Sequence, residues 1–199
     1  MRVDAEEASL SCPGFPTYQP PGSDTRRDTT MTKPDSPTRG RFGNVANQAD
    51  VAAEDWNHEP SGVSVSSREM AVALSARELG YCVVTLEPGK RSCPYHFHHS
   101  EEELFVVLEG RGMLRQGDES GEEEELELAA GDFVSFPPGT GIAHQFHNHT
   151  GEPFRYLAVS NRLPHDVCEY PDSDKILVRG PRRRMLRRTP TLDYFDGEA

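Results

Sequence analysis

The stretch PGKRSCPYHFHHSEEELFVVLEG, residues 88–110, decides the expected fold and contains half of a candidate site. His96 and His98 are one residue apart, and side chains of a strand alternate between its faces, so the two imidazoles point to the same side. Glu103 begins a second run of strand-forming residues after a short turn. The sequence therefore predicts a β-hairpin that brings two imidazoles and a carboxylate together. Glu101 and Glu102 are the alternative sources of that carboxylate.

A second stretch, GDFVSFPPGTGIAHQFHNHTGE at residues 131–152, supplies a further histidine, His144, in a predicted strand. The two stretches together resemble the two motifs of the cupin superfamily, in which a small β-barrel holds a metal on three histidines and one glutamate. The matching residues are Gly89, His96, His98, Glu103 and Gly110 in the first motif, and Gly131, Pro137, Gly139, His144 and Asn148 in the second.

Two spacings depart from the family pattern. Six residues rather than five separate Gly89 from His96, and four rather than two separate Gly139 from His144. Both departures lengthen turns and leave the ligand types intact. The resemblance covers roughly residues 64–170 and implies one divalent metal per chain on the following ligands: His96, His98, Glu103 and His144. It also implies a cupin-type double-stranded β-helix, or jelly-roll, barrel.

Composition limits the partners and the compartment. The formal net charge of -12 disfavours nucleic acid, since phosphate binding requires a basic face. No segment is long and apolar enough for a membrane span, and the N-terminus has no signal-peptide pattern. The four cysteines are scattered without a CxxC pair, which favours reduced thiols. A cytoplasmic location is therefore expected, with a small molecule as the partner.

The chain divides into three expected regions. Residues 1–43 are rich in Pro, Ser, Thr and Gly without an apolar period, which predicts a disordered tail. Residues 44–170 are expected to form the barrel with a lead-in, in which Trp56 would plug one end. Residues 171–199 are expected to form a C-terminal arm whose arginines dock on the acidic barrel surface.

The middle region predicts an all-β fold independently of the resemblance. Short strand-forming runs alternate with turn signals and no helical run lies between them. Strands are predicted at 64–74, 79–87, 92–98, 104–109, 112–116, 123–128, 133–136, 143–148 and 154–160. The carboxylate run at Glu122–Glu125 is interpreted as a solvated edge rather than a cation site.

The strand that follows Glu103 is apolar on both faces. Phe105 and Val107 share the face of the glutamate, while Leu104 and Val106 lie on the other. A sheet with one solvated face would alternate apolar and polar residues, so something must cover this outer face. The N-terminal strand of the same chain and a partner subunit are the two alternatives, and the resemblance implies a homodimer.

The remaining histidines are expected to face away from the metal. Three of them are out of phase with the ligands and two lie in predicted loops: His99, His147, His149, His58 and His165. Cys93, three residues before His96, could tune the site, although a buried hydrophobe is the commoner role of a free cysteine. The strand alternation predicts a largely apolar pocket that contains Cys93, Phe105, Val107 and Phe146.

Three imidazoles and one carboxylate suit Fe, Mn, Ni, Cu, Co or Zn, and do not suit Mg or Ca. Catalytic residues beyond the ligands are not predicted. The expected function is a metal-dependent enzyme for a small organic molecule, with oxygenase-type or related chemistry. The alternatives are a sugar-phosphate isomerase or epimerase and a non-catalytic metal-binding or small-molecule sensor. Residues 168–175 and 193–198 look like bacterial cupins that are loosely called sugar-phosphate isomerases.

Overall fold

The computed structural model describes residues 37–198 of the chain. The strands are β1 (Thr38–Arg39), β2 (Val45–Ala46), β3 (Glu54–His58), β4 (Val63–Arg68), β5 (Leu79–Leu86), β6 (Phe97–His98), β7 (Glu103–Glu109), β8 (Arg111–Gly117), β9 (Glu123–Ala129), β10 (Phe133–Phe136), β11 (Ala143–His147), β12 (Phe154–Asn161), β13 (Asp166–Tyr170), β14 (Lys175–Arg179) and β15 (Arg184–Arg187). One short α-helix, α1 (Met70–Ala73), and 3-10 turns at Gln48–Asp50, Glu59–Ser61 and Pro171–Ser173 complete the described part. The predicted all-β class is confirmed.

The strands form two layers. One sheet has the order β10-β7-β12-β5-β4-β3. Opposite it are a sheet of order β11-β8-β9 and a sheet of order β15-β14-β13-β6. These two adjoin where the backbones of His96 and His144 form an antiparallel bridge. The arrangement is the jelly-roll barrel that was predicted, with the three candidate histidines at the seam between the second layer's two sheets and Glu103 on β7 of the first sheet.

Strict alternation builds the interior between the layers. Along β12, every second residue is buried, beginning with Phe154, which is fully buried. The inward side chains of both layers form one continuous apolar core of Val63, Val65, Cys82, Val84, Leu86, Phe105, Val107, Leu114, Leu128, Phe136, Phe146, Phe154, Tyr156 and Ala158. This core fixes the register of the strands, because a one-residue slip would expose the whole inward set.

Two glycines of the motifs are required by the turns in which they stand. Gly110 has a φ of +79°, and a Cβ there would collide with the carbonyl of Pro153. Gly139 has a φ of +71°, and its N–H donates to the carbonyl of His98 at 3.3 Å. Residues with a Cβ rarely adopt such backbone angles. The turn at Gly139 thereby attaches the second motif to a ligand strand of the first.

Each predicted strand has a counterpart, and two of them are shorter than expected by more than one residue. The strand expected at 64–74 ends at Arg68, and the helix α1 follows it. Met70 and Ala71 of this helix are buried, and Met70 packs on the outer face of β5. The run 92–98 keeps regular pairing only at β6, because Pro94 interrupts the ladder.

The regions flanking the barrel differ from the expectation. Trp56 lies half-buried on β3, at the edge of the first sheet, and packs on the main core rather than plugging an end. The expected arm contributes β14 and β15 to the sheet of β13. Of the expected tail, residues 37–43 include β1, which pairs with β2, and residues 1–36 lie outside the described part.

The chain covers part of its own outer sheet face. Val83 on β5 packs outward against Val51 and Met70, which both belong to the N-terminal segment. Farther along the same face, Leu108 is 43% exposed and Phe133 is 71% exposed. The N-terminal segment therefore covers β5, whereas the outer face of β7, for which a cover was expected, keeps Leu108 exposed. None of the helices within residues 37–198 is long and apolar enough to cross a membrane.

Candidate metal centre

The four predicted ligands lie together at one end of the barrel. The ring centroids of His96 lie 5.0 Å from His98 and 4.8 Å from His144. The Glu103 Oε2 atom lies 3.2 Å from Nε2 of His144 and 3.7 Å from Nε2 of His98. All four side chains are buried. The sequence spacing thus located a compact cluster of three imidazoles and one carboxylate.

The strands explain this convergence. His98 ends β6 and Glu103 begins β7, so a short turn joins the two ligands. His144 is the second residue of β11, and the backbone bridge with His96 brings its strand alongside. Imidazoles on one face of two paired strands can approach one another as directly opposed residues do. The local fold positions all four groups without a long connection.

Hydrogen bonds set the orientation of two imidazoles. His98 donates from Nδ1 to Asp166 Oδ2 at 2.6 Å, and His96 donates from Nδ1 to the carbonyl of Pro94 at 2.9 Å. An imidazole that donates from Nδ1 has its lone pair on Nε2, which is the form that ligates a metal. Both bonds therefore keep a proton on Nδ1 and leave Nε2 as the ring atom that would ligate a metal.

The third imidazole is held by stacking. The His144 ring lies on Phe136 with a centroid distance of 3.8 Å and an interplanar angle of 9°. Phe105 meets the same imidazole edge-on at 5.6 Å. These aromatic contacts restrict rotation of the ring, although Nδ1 of His144 has no hydrogen-bond partner in the described part of the chain.

Unpartnered buried atoms show that the cluster fits a metal ion. Nε2 of His98 and Oε2 of Glu103 are buried and make no hydrogen bond within residues 37–198. A buried polar atom without a partner costs about 1–3 kcal/mol. Ligand atoms of His96, Glu103 and His144 also lie within 4.8 Å of one another. One cation among these three groups would satisfy Oε2 of Glu103, and Nε2 of His98 lies 3.7 Å from that oxygen, so the residues present fit the expected transition metal.

The surroundings shift the pKa values of Glu103, His144 and His96. Burial opposes ionisation of Glu103, but His98 and His144 outweigh it and lower the pKa of the carboxyl to about 2. Burial lowers the pKa of His144 to about 4. Burial also lowers the pKa of His96, but Cys93 and Glu103 raise it to about 9. Metal binding at neutral pH would therefore release a proton from His96.

The three neighbouring glutamates occupy different environments. Glu102 is exposed. Glu101 is buried, and its two oxygens are used by Ser160, whose hydroxyl donates at 2.6 Å, and by Arg179. Glu103 alone of the three places an oxygen beside two of the candidate imidazoles. The geometry therefore favours Glu103 over the two alternative carboxylates.

Asp166 and Arg179 were not singled out from the sequence. Asp166 lies beside His98, and Arg179 donates to Asp166 Oδ2 at 2.9 Å and to Glu101. Burial opposes ionisation of Asp166, but the contacts with His98 and Arg179 hold its pKa well below the usual range. No local signal pointed to them, because 68 residues separate Asp166 from His98.

A narrow cleft lies against the cluster. Besides the ligands His98, Glu103 and His144, it is lined by Phe97, Glu101, Phe136, Pro137, Thr140 and Ile142. Four of these residues are apolar, and Glu101 and Thr140 add polar groups beside the ligands.

The four predicted pocket residues do not line this cleft. Phe105, Val107 and Phe146 belong to the core that fills the barrel below the ligands. Cys93 is 8% exposed, and its Sγ lies 3.5 Å from Nδ1 of His96.

The other histidines lie outside the cluster. His99, His58, His149 and His165 are exposed and His147 is half-buried. His99 bonds Glu169 at 2.8 Å, and His149 lies 3.4 Å from Glu127. None of the five joins the ligands, but His58, which was expected in a loop, is the last residue of β3.

Comparisons with known proteins agree with this fold and site. A cupin-domain sequence model matches residues 82–160. Auxin-binding protein 4 of Zea mays is 31% identical over 121 residues, which are 58% of this chain and 57% of that protein. The chain thus spans less than two thirds of that relative.

Two crystal structures are similar. One is a provisional sugar phosphate isomerase from Acidithiobacillus ferrooxidans, with a TM-score of 0.66 and 31% identity over 73% of this chain and 90% of that one. The other is a sugar phosphate isomerase of the cupin superfamily from Silicibacter pomeroyi, with a TM-score of 0.62 and 26% identity over 74% and 96% of the two chains. Fold and site define a small β-barrel protein with a buried cluster of metal-ligating residues. The chain belongs to the cupin superfamily.

Proposed function

We propose that this cupin is a metal-dependent enzyme that acts on a small organic acid by oxygenase-type or related metal-assisted chemistry. The observation that carries the proposal is the cluster of His96, His98, Glu103 and His144, three of which line a cleft whose other walls are mainly apolar. A divalent transition metal held there would supply Lewis-acid or redox chemistry and positions for substrate oxygens.

The cleft walls favour a substrate with one polar end. Phe97, Phe136 and Ile142 offer apolar surface, which would bind the hydrocarbon part of a ligand and exclude water. The polar end would then reach the metal ligands. Relatives named for binding auxin, a small organic ligand, support this substrate size.

Glu101 is the candidate for proton transfer. It is a buried carboxylate in the cleft lining and is distinct from the ligand set. Ser160 donates to its Oε1 atom, and Arg179 contacts Oε2, so the carboxylate is held in one orientation. A fixed carboxylate within reach of a bound substrate can accept or return a proton during the reaction.

Sugar-phosphate isomerisation is the second candidate, since two similar structures carry that name. A phosphate dianion requires several cationic donors. Within residues 37–198, the lining of this cleft includes no arginine or lysine. Arg179 lies next to it but is already shared by Glu101 and Asp166, and Arg115 and Arg155 form surface ion pairs. This arrangement favours the organic acid.

The experiment is an activity screen on metal-loaded protein. Protein purified anaerobically and reloaded with Fe(II) or Mn(II) is incubated with small carboxylic acids and phenols, and oxygen uptake and product formation are measured. A parallel panel contains aldose and ketose phosphates. Turnover of organic acids that His98→Ala abolishes supports the proposal. Turnover of sugar phosphates alone contradicts it and supports the second candidate.

A homodimer and a cytoplasmic location remain predictions. Leu108 and Phe133 leave an exposed apolar strip on the outer sheet face, which a second copy could bury. Light scattering during size exclusion would give twice the monomer mass if the chain pairs there. Phe133→Lys would then shift the protein to the monomer.

A further inference from the structure

We propose that Asp166 and Arg179 form a positioning pair that fixes His98 for metal binding. Both residues lie beyond the segment 82–160 that the cupin-domain model matches. The inference deepens the proposed function and rests on it, because it concerns the same metal centre. It assigns a role to strands β13 and β14. From the sequence, β13 is expected in the barrel and β14 in the C-terminal arm.

The contact with the ligand is short and buried. Nδ1 of His98 donates to Asp166 Oδ2 at 2.6 Å, and the side chain of Asp166 is 0% exposed. This bond keeps the proton on Nδ1 and the lone pair on Nε2. Nε2 of His98 is the atom that lies near Glu103 and is buried without a partner in the described chain. The carboxylate therefore determines both the tautomer and the direction of the ring.

Asp166 is itself held at both oxygens. Its Oδ1 atom accepts from the backbone N–H groups of Ser100 at 2.9 Å and Glu101 at 3.3 Å. Its Oδ2 atom accepts from Arg179 at 2.9 Å in addition to His98. A carboxylate with four donors has one orientation available, so the position of His98 follows from that of Asp166.

Strand pairing places these groups. Asp166 lies directly opposite Arg179 in the β13–β14 pair, and Cys168 lies directly opposite His98 in the β13–β6 pair. Asp166 is two residues from Cys168 and thus projects to the same face as His98. The register of the last strands, rather than a loop, brings the carboxylate to the imidazole.

A second pair on the same strands offers a matched control. His99, the next residue, bonds Glu169 on β13 at 2.8 Å. The chemistry is again an imidazole and a carboxylate, but the His99 side chain is 46% exposed and faces away from the cleft. Asp166→Asn and Glu169→Gln each replace a carboxylate that bonds a histidine by its amide, and the two residues lie on opposite faces of β13.

The test compares Asp166→Asn with Glu169→Gln in the full-length protein. Zn(II) affinity is measured by competition with a chromophoric chelator. We expect Asp166→Asn to weaken binding roughly 10- to 100-fold, as loss of a partner behind a metal ligand typically does. Glu169→Gln should stay within about twofold of the parent. Equal affinity of parent and Asp166→Asn would overturn the inference.

Nuclear magnetic resonance of the histidine rings measures the chemical shift of the His98 Nδ1–H proton, which a loss of stability alone would not change. In ¹⁵N-labelled, zinc-loaded protein, the Nδ1–H proton of His98 should resonate far downfield because of its short bond. It should move upfield in Asp166→Asn while the signals of His96 and His144 change little. An unshifted His98 signal contradicts the role of Asp166.

Arg179→Gln covers the case in which Asp166→Asn does not fold. It leaves the carboxylate in place but removes one of its donors, and we expect a smaller loss of zinc affinity in the same direction. Unchanged affinity in Arg179→Gln would remove Arg179 from the pair. A parent protein that binds no metal but shows the downfield His98 proton would contradict the proposed function and leave the hydrogen-bond geometry standing.

Discussion

The barrel strands and the terminal strands contribute different parts of the candidate site. Strands β6, β7 and β11 carry ligands, and the bridge at His96 completes the set. Strands β13 and β14 carry Asp166 and Arg179, which contact a ligand or its partner but belong to no ligand motif. The ligand residues can thus be identified from their local spacing in the sequence. The residues that position them are brought there by pairing between strands that are distant in the sequence. The following substitutions test this division.

The largest effect is expected from His98→Ala, which removes a ligand contributed by the barrel. The remaining buried groups lose a partner and the site opens, so most of the bound metal should be lost. Metal per chain is measured by mass spectrometry after dialysis. His99→Ala is the control, because that imidazole is exposed and paired with Glu169. Full metal occupancy in His98→Ala would show that the ligand assignment is wrong.

Substitutions of the three neighbouring glutamates should have three different effects, because one is a candidate ligand, one a candidate proton-transfer group and one a surface residue. Glu103→Gln should lower metal content strongly, because it removes the carboxylate beside His98 and His144. Glu101→Gln should retain metal and lose turnover, since its carboxylate lines the cleft without joining the ligand set. Glu102→Gln should change neither. Metal content and turnover are measured on the same samples, and a metal loss in Glu101→Gln greater than in Glu103→Gln would exchange the two roles.

Leu177→Ala tests whether the terminal strands are part of the folded core. Leu177 on β14 is 4% exposed and packs with Cys168 and Tyr170. Removing such a buried side chain typically costs about 2–5 kcal/mol of unfolding free energy. Leu186→Ala on β15, where the side chain is 46% exposed, should cost less than about 0.5 kcal/mol. Urea denaturation measures both, and equal costs would indicate an arm that only docks on the barrel.

The sequence was sufficient where the signal is local. Alternation placed His96 and His98 on one face, and the turn before Glu103 returned its carboxylate to them. The strand runs followed the same alternation, and the all-β class did not depend on any single motif. These features depend on residues a few positions apart, so they can be recognised in one amino-acid sequence.

The sequence was insufficient where contacts depend on pairing between distant strands. Asp166 is adjacent to His98 because β13 pairs with β6, and no pattern near residue 166 specifies that neighbour. The predicted pocket residues differ from the cleft lining for a related reason. Alternation turned Phe105 inward, where it packs in the core, but it does not specify which inward residues border the cleft. Phe97 and Phe136 line the cleft instead.

The smallest effect is expected at an ion-pair network that joins the two regions across the surface. Arg115 on β8 donates to Glu123 at 2.8 and 3.1 Å and to Asp172, which follows β13, at 2.7 and 3.1 Å. Its guanidinium also lies 4.0 Å from the centre of the Tyr95 ring. Exposed ion pairs each contribute at most about 1 kcal/mol, and the two-sided geometry places this network near the upper end.

Arg115→Gln should therefore lower the unfolding free energy by about 1 kcal/mol in low salt, and by less in about 1 M NaCl, where the Debye length falls to roughly 3 Å. The control is Arg111→Gln, which removes one pair, with Glu127, from the same strand at a side chain that is 62% exposed. Urea titrations at both salt concentrations measure the difference. A cost for Arg115→Gln that is as large as that of Leu177→Ala, or that does not respond to salt, would mean that Arg115 acts through buried packing on Tyr95. The link between barrel and terminal strands would then be part of the core rather than a surface attachment.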